Sequence, residues 1–343
     1  MNQLVLSDEE VRAIKALLAE IMARYTSAED SEFLKEAAVF AHELPRRLRK
    51  FLVEYKVLEL PLGVCLISGF PVDDSKIGPT PMHWEQKADV SPALEEEILL
   101  VLMGSILGEV IAWLTQQNGY VIHEVLPIRE FEDLQINFSS KQYITWHTED
   151  AFHEYRGDYL ALMCLRNLGK VATTFASSDM IELDPETVRV LFEPHFIIHP
   201  DESHSERHKP NLGSRDKDAP ASIEAAYELI NHIHKEPQKV PVLFGDPKSP
   251  YLRLDPYVME PPSDDEALRA FNLLTKVVDE RLSEVVLQPG DILFIDNYRV
   301  VHGRKPFVAK YDGSDRWLKR INIARDLRKS RGARTSCTSR VIL

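Results

Sequence analysis

Cysteine is scarce in this chain, and the few present do not pair. Cys65, Cys164 and Cys337 are scattered through 343 residues, and no C-x-x-C occurs. That excludes a disulfide framework and a cysteine-rich zinc site, and it fits a reducing compartment. Cys65 and Cys164 stand in apolar runs and read as small core residues. Long hydrophobic runs are lacking too. The longest, Ile98–Gly108, has 11 residues, whereas a membrane span needs about 20. The opening residues, MNQLVLSDEE, carry neither the basic nor the apolar region of a secretory leader. The expected location is the cytoplasm, with no membrane partner. Basic charge is in deficit as well: 41 Lys and Arg against 54 Asp and Glu leave −13. No nucleic-acid partner is expected, since that surface would want a basic stripe. A negative field favours cationic small molecules instead.

What the chain does have is enough apolar residue for a full core. It is 44% hydrophobic and 28% charged, outside the disordered range. Its length buries about three quarters of the unfolded surface without staples. The first 60 residues read as helices. Ser7 and Glu10 form a capping box ahead of VRAIKALLAEIMARY. A second helix spans 31–42, and after Pro45 a third runs through RRLRKFLVEY. GVCLISGF (63–70) has strand length, and 94–117 reads as one long buried helix.

After Gly119 the texture changes to short β-rich runs: YVIHEVLPI, LQINF, QYITWH, YLALMCLRN and VATTFAS. Asp184-Pro185 opens a helix, and Ser263 with Glu266 caps another. EVVLQPGDILFIDNYRVVHGR and DRWLKRINIARD return to strands. The polar segment 201–220 reads as a long loop, either a lid over a site or plain surface. The tail 328–343 is basic and reads as frayed. The fold class expected is α+β, a β core flanked by helices, in one domain over 1–343. Its helical part is 1–60 and its β core 115–326. The sequence is silent on oligomeric state.

The chemistry on offer is a metal site. Five H-x-D/E matches occur, where composition alone gives about two, so the bare motif is weak. His204, His234, His199 and His83 head theirs in polar, loop-like or Pro-containing stretches. Only His147-Thr-Glu149 follows a strand-like run, YITW. On a strand, residues two apart share a face. With a distant histidine they make a facial triad with open positions; an ordinary solvated pair is the alternative. His302, in DNYRVVHGRKPF, follows the apolar strand DILFIDN at its far end, and Gly303 after it permits a close backbone approach; an exposed strand-end histidine at a turn is the alternative. Arg316 and Arg320, four apart, share a face. Buried there, they require carboxylates; surface salt bridges are the alternative.

WHTEDAFHEYRGDYLALMCLRN (146–167), with the distal DNYRVVHGR and DRWLKR, resembles the clavaminate synthase-like Fe(II)/2-oxoglutarate dioxygenases, most of all the free L-arginine and L-lysine hydroxylases. The resemblance covers about residues 115–326. It implies a double-stranded β-helix (jelly-roll) core and an iron triad of His147, Glu149 and His302. It implies that Arg316 pairs with the distal carboxylate of 2-oxoglutarate, assisted by Thr174, with Thr173 the neighbouring choice. Arg320 would hold the substrate's α-carboxylate, Gln116 (or Gln117) would lie near its α-amine, and Glu149 would bind substrate as well as metal. Fe(II), 2-oxoglutarate and O₂ are the implied reactants, with ascorbate stimulatory. Succinate, CO₂ and a hydroxy-amino acid, hydroxylated at C3 or C4, are the products. In YLRLDPYVME, Asp255 is the candidate for a cationic side-chain tip; opening a turn with Pro256 is its alternative role. A lone carboxylate, with none nearer than Glu260, suits a point-like ammonium, so L-lysine is expected over L-arginine or ornithine. A desaturase, a silent jelly-roll binder and a zinc-dependent hydrolase remain the rival readings.

Overall fold

Local signals set the helical layer. The Ser7 hydroxyl accepts from the Glu10 amide at 3.3 Å, and the Glu10 carboxylate accepts from the Ser7 amide at 2.8 Å. This reciprocal cap opens the first helix. Asp30 caps the next one, and Pro45 stands before the third. The computed structural model describes residues 1–205 and 219–343. The expectation for 201–220 therefore falls largely outside the described residues.

In chain order, β1 (Asn2–Val5), α1 (Asp8–Met22), α2 (Ser31–Ala41), α3 (Arg46–Leu58), β2 (Val64–Ser68), α4 (Asp74–Ile77) and α5 (Leu94–Leu107) come first. β3 (Glu109–Trp113), β4 (His123–Val125), β5 (Ile144–His147), β6 (Tyr159–Arg166) and β7 (Thr173–Ser177) follow. Next are α6 (Pro185–Leu191), β8 (Phe196–Ile198), α7 (Ala219–Lys235), β9 (Lys239–Val240), β10 (Leu243–Asp246), β11 (Ser249–Leu252), β12 (Met259–Glu260) and α8 (Asp265–Glu280). The chain closes with β13 (Ser283–Val285), β14 (Ile292–Asp296), β15 (Val300–Arg304), β16 (Trp317–Ala324) and β17 (Val341–Ile342).

Two sheets make the expected jelly roll. The larger runs β1-β2-β14-β6-β16-β3-β17, with β4 also on β16; the smaller runs β13-β7-β15-β5. Alternation on the larger sheet explains its unbroken apolar sequence. Leu160, Leu162, Leu293 and Ile295 point between the sheets. Ala161, Met163, Ile292 and Phe294 point back to α1, α2, α3 and α5. Both faces are buried, which is why these strands read as near-continuous apolar runs. The outer face of the smaller sheet packs on α6 and α8 through Ala176, Val301, Leu191 and Leu274.

The structure departs from the sequence reading in four places. The helix expected over 94–117 stops at Leu107. Gly108 touches the β16 backbone so closely that a Cβ there would lie 2.3 Å from the Ala324 carbonyl oxygen. The chain then pairs as β3. LQINF is not a strand. The Gln135 side chain takes the strand partner's place, donating to the Tyr143 carbonyl at 2.7 Å and accepting from the Thr145 amide at 3.2 Å. The cap of α8 is Asp264, not Ser263. The tail is not frayed: β17 pairs in parallel with β3, and Arg334 is buried among carbonyls of its own segment and Leu327. Among the described residues, no helix is long and apolar enough to cross a membrane.

Candidate active site

The pairing of β5 with β15 sets His147 directly opposite His302. Their rings lie 4.6 Å apart between centroids. Gly303 makes this approach possible, since a Cβ there would sit 2.4 Å from the Ile144 carbonyl oxygen. Glu149 is not placed by strand alternation, because β5 ends at His147 and Asp150 takes a positive φ of 48°. Asn297 places it instead. Its side chain accepts from the Glu149 amide at 2.8 Å and donates to the Glu149 carbonyl at 3.0 Å and the Gly157 carbonyl at 2.9 Å.

The Glu149 carboxylate then lies 3.6 Å from His147 Nε2 and 3.3 Å from His302 Nε2. One ligand atom from each residue falls within 4.8 Å of the others. His147 Nδ1 is 2.8 Å from the Thr145 carbonyl, which leaves Nε2 for a ligand. Two imidazoles and a carboxylate on one side, with the other side open, fit a divalent iron with free positions. The His147 side chain is 23% exposed, against 9% for His302 and 6% for Glu149, so access is from the His147 side. Burial alone would hold Glu149 neutral, but Arg320 and the two imidazoles keep it well below the carboxylate range. Burial also opposes charge on His147, yet Glu149 and Asp255 push it up to about 9. Burial keeps His302 below its ordinary value.

A chamber between the sheets joins this cluster to Arg316, Arg320, Gln116 and Asp255. The Arg316 guanidinium is buried and, among the described residues, meets the Thr173 hydroxyl alone, at 3.3 Å. Its Nε has no partner among those residues. Burial draws it down to about 10. An unpaired interior cation of this kind needs an anion. The threonine hydroxyl beside Arg316 is that of Thr173, the neighbouring choice, rather than the expected Thr174. Thr173 faces the chamber with Arg316, while the Thr174 hydroxyl turns the other way, 3.5 Å from Tyr143. Arg304 lines the same end but already donates to Ser139 and to the Gln142 and Lys305 carbonyls.

Arg320 is held between Glu149 on Nη1 and His123 Nδ1, 2.9 Å from Nη2. Gln116 donates to Asp150 at 3.0 Å and to Ser203 at 2.7 Å. Asp150 also meets His204 at 2.8 Å, whose other nitrogen is 2.6 Å from the Thr115 hydroxyl. Asp255 is buried, and burial pushes its carboxyl up to about 6; His147 opposes the shift and Asp201 adds to it. So Asp255 is not a lone acid, because Asp201 lines the same chamber. Asn297, His123, His204 and Asp201 are not evident from sequence. His204 even heads one of the H-x-E matches set aside as bland. Only the fold shows what these residues face.

Residues 100–322 match the taurine catabolism dioxygenase TauD, TfdA family. The chain is 46% identical to an enduracididine beta-hydroxylase of Streptomyces hygroscopicus, over all of both chains. It is 42% identical to an L-ornithine/L-arginine 3-hydroxylase of Catenulispora acidiphila, again over all of both. The crystal structure of the non-heme iron oxygenase OrfP with Fe, succinate and (3S)-hydroxy-L-Arg superposes with a TM-score of 0.93 at 42% identity, covering both chains completely. An L-lysine 3-hydroxylase of Catenulispora acidiphila is 27% identical, over 96% of this chain and 89% of its own. Lysine, expected from sequence, is thus not supported, and the premise of a lone acid fails with it.

Proposed function

Since the chain belongs to the TauD, TfdA family of dioxygenases and is an Fe(II)/2-oxoglutarate-dependent amino-acid hydroxylase, we propose that its substrate is a free L-amino acid with a guanidine-bearing side chain, hydroxylated at carbon 3. The observation that carries this reading is the pair of acids, Asp255 and Asp201, in the same buried chamber as the histidine–carboxylate cluster. A guanidinium is planar and presents several donors, so it suits two carboxylates better than an ammonium does. The relatives at 46% and 42% identity are named for a beta-hydroxylase and a 3-hydroxylase, which supports carbon 3.

His147, Glu149 and His302 hold the iron in this reading. Arg316 and Thr173 take the distal carboxylate of 2-oxoglutarate. Arg320 takes the substrate's α-carboxylate and Gln116 lies at its α-amine. With 2-oxoglutarate and O₂, the iron supplies the power to oxidise an unactivated C–H bond, releasing succinate and CO₂. The chain supplies position. An amino acid fixed by its two charged ends has no freedom to turn, so one carbon is held beside the metal. The test is succinate release and product mass with L-arginine, a cyclic guanidino amino acid, L-ornithine and L-lysine. A gain of one oxygen on a guanidino acid is expected. Faster turnover of lysine than of either guanidino acid would overturn the reading.

A further inference from the structure

We infer that His123 is the positioning residue that holds Arg320 for the substrate's α-carboxylate, taking one guanidinium hydrogen on an uncharged nitrogen. This rests on the reading of Arg320 given above. The pairing of β4 with β16 sets His123 directly across from Arg320. Both are buried and both line the chamber. A guanidinium can only donate. His123 Nδ1, 2.9 Å from Arg320 Nη2, must therefore carry a lone pair, and the ring is the neutral tautomer with its proton on Nε2. Burial first, and Arg320 second, hold this imidazole well below its ordinary pKa, which agrees with that hydrogen-bond polarity.

Neutrality is the functional point. Glu149 already takes one side of Arg320. A second carboxylate in place of His123 would leave one cation between two anions, a net negative group, and face the incoming α-carboxylate with like charge. A neutral imidazole fixes the guanidinium plane and adds no further negative charge beside it. The next pair along the same two strands explains why His123 cannot drift. Lys319 lies across from Glu124 on the opposite face. There Lys319 pairs with Glu124 and, at 2.7 Å, with Glu97, while the Trp317 indole donates to Glu124 at 2.6 Å. Gln117 clasps the Glu124 backbone at 2.9 Å on both its amide and its carbonyl. This buried ion network locks the register that puts His123 against Arg320.

The test compares L-arginine with L-argininamide, which lacks the α-carboxylate charge, in the iron-loaded enzyme. His123→Leu is expected to raise KM for L-arginine at least tenfold, to leave KM for 2-oxoglutarate within twofold, and to abolish the preference for acid over amide. His123→Asn, whose amide oxygen stands near the Nδ1 position, is expected to restore that preference, and His123→Gln is not. Unfolding temperatures of the three variants serve as the control for folding. Equal losses on both substrates, or no advantage of Asn over Leu, would assign His123 a merely structural role and overturn the inference. If Arg320→Gln keeps the acid–amide preference, the reading of Arg320 itself fails, which is a distinguishable result.

Discussion

Thr173 and Thr174 are chemically identical, and one step of the strand separates a group beside Arg316 from one on the far side of the sheet. The Thr173 hydroxyl is the one hydrogen-bond partner found for Arg316 among the described residues. A hydrogen bond to a charged group contributes about 1.5–3 kcal/mol. Thr173→Val is therefore expected to raise KM for 2-oxoglutarate roughly tenfold or more, with KM for the amino acid unchanged, while Thr174→Val shifts either by less than twofold. Initial rates at varied cosubstrate decide it, and the reverse ranking would return the role to Thr174. Asp255 makes a second prediction. Burial raises its carboxyl to about 6, from an ordinary 3.8. The folded state thus holds this proton more tightly than the unfolded one, and Asp255 costs the empty fold stability as pH rises from about 4 to 6. Binding a guanidinium needs the ionised form. KM for L-arginine should rise as pH falls through about 6, and Asp255→Asn should show a high KM with no such slope. An unchanged slope in that variant would place the titration elsewhere.

At the scale of the element, the pairing of β5 with β15 makes the metal cluster, and Gly303 makes the pairing. Gly303→Ala would drive a methyl into the Ile144 carbonyl and crowd Trp146. Overpacking of this kind costs about 1–3 kcal/mol. The expected outcome is a lower unfolding temperature together with weaker iron binding, because the strands must part at the position that faces His147 to His302. Iron affinity equal to wild type in the variant would show that the register tolerates the methyl. The elements explain what could be read beforehand. Capping box and apolar runs are local signals, and they marked α1 and the central strands; His147-x-Glu149 is local too, but its union with His302 rested on the family resemblance. The break of a long apolar segment at Gly108 was not local. It depends on the Ala324 carbonyl, more than 200 positions away. Likewise Asp255 looked solitary because Asp201 reaches it only through the fold. Glu149 owes its aim to Asn297 rather than to the strand alternation that first suggested it.

For the molecule as a whole, the chamber sets buried cations inside an acidic chain. The chain carries a net −13, yet the inner faces of its sheets bury Arg304, Arg316 and Arg320. Arg304 and Arg316 repel each other, and burial followed by that repulsion draws Arg304 down to about 9. A buried cation without a carboxylate destabilises the fold, and replacing such charge by an apolar group of similar volume is often neutral or stabilising. Binding a dicarboxylate that meets Arg316 should reverse the cost. At 100 times Kd, a ligand specific for the folded state adds about 2.7 kcal/mol. For a chain of this length that is on the order of 5 °C in unfolding temperature. Anaerobic thermal unfolding with Fe(II) should show a rise of that order when 2-oxoglutarate is added, and a chelator should remove it. Arg316→Met should unfold no earlier than wild type without ligand and should lose the response to 2-oxoglutarate. Its unfolding temperature separates two accounts of Arg316. If the ligand-free variant unfolds several degrees earlier, the arginine is a structural part of the core. If it holds or gains while the 2-oxoglutarate response vanishes, the arginine is kept against the stability of the fold for the anion it receives.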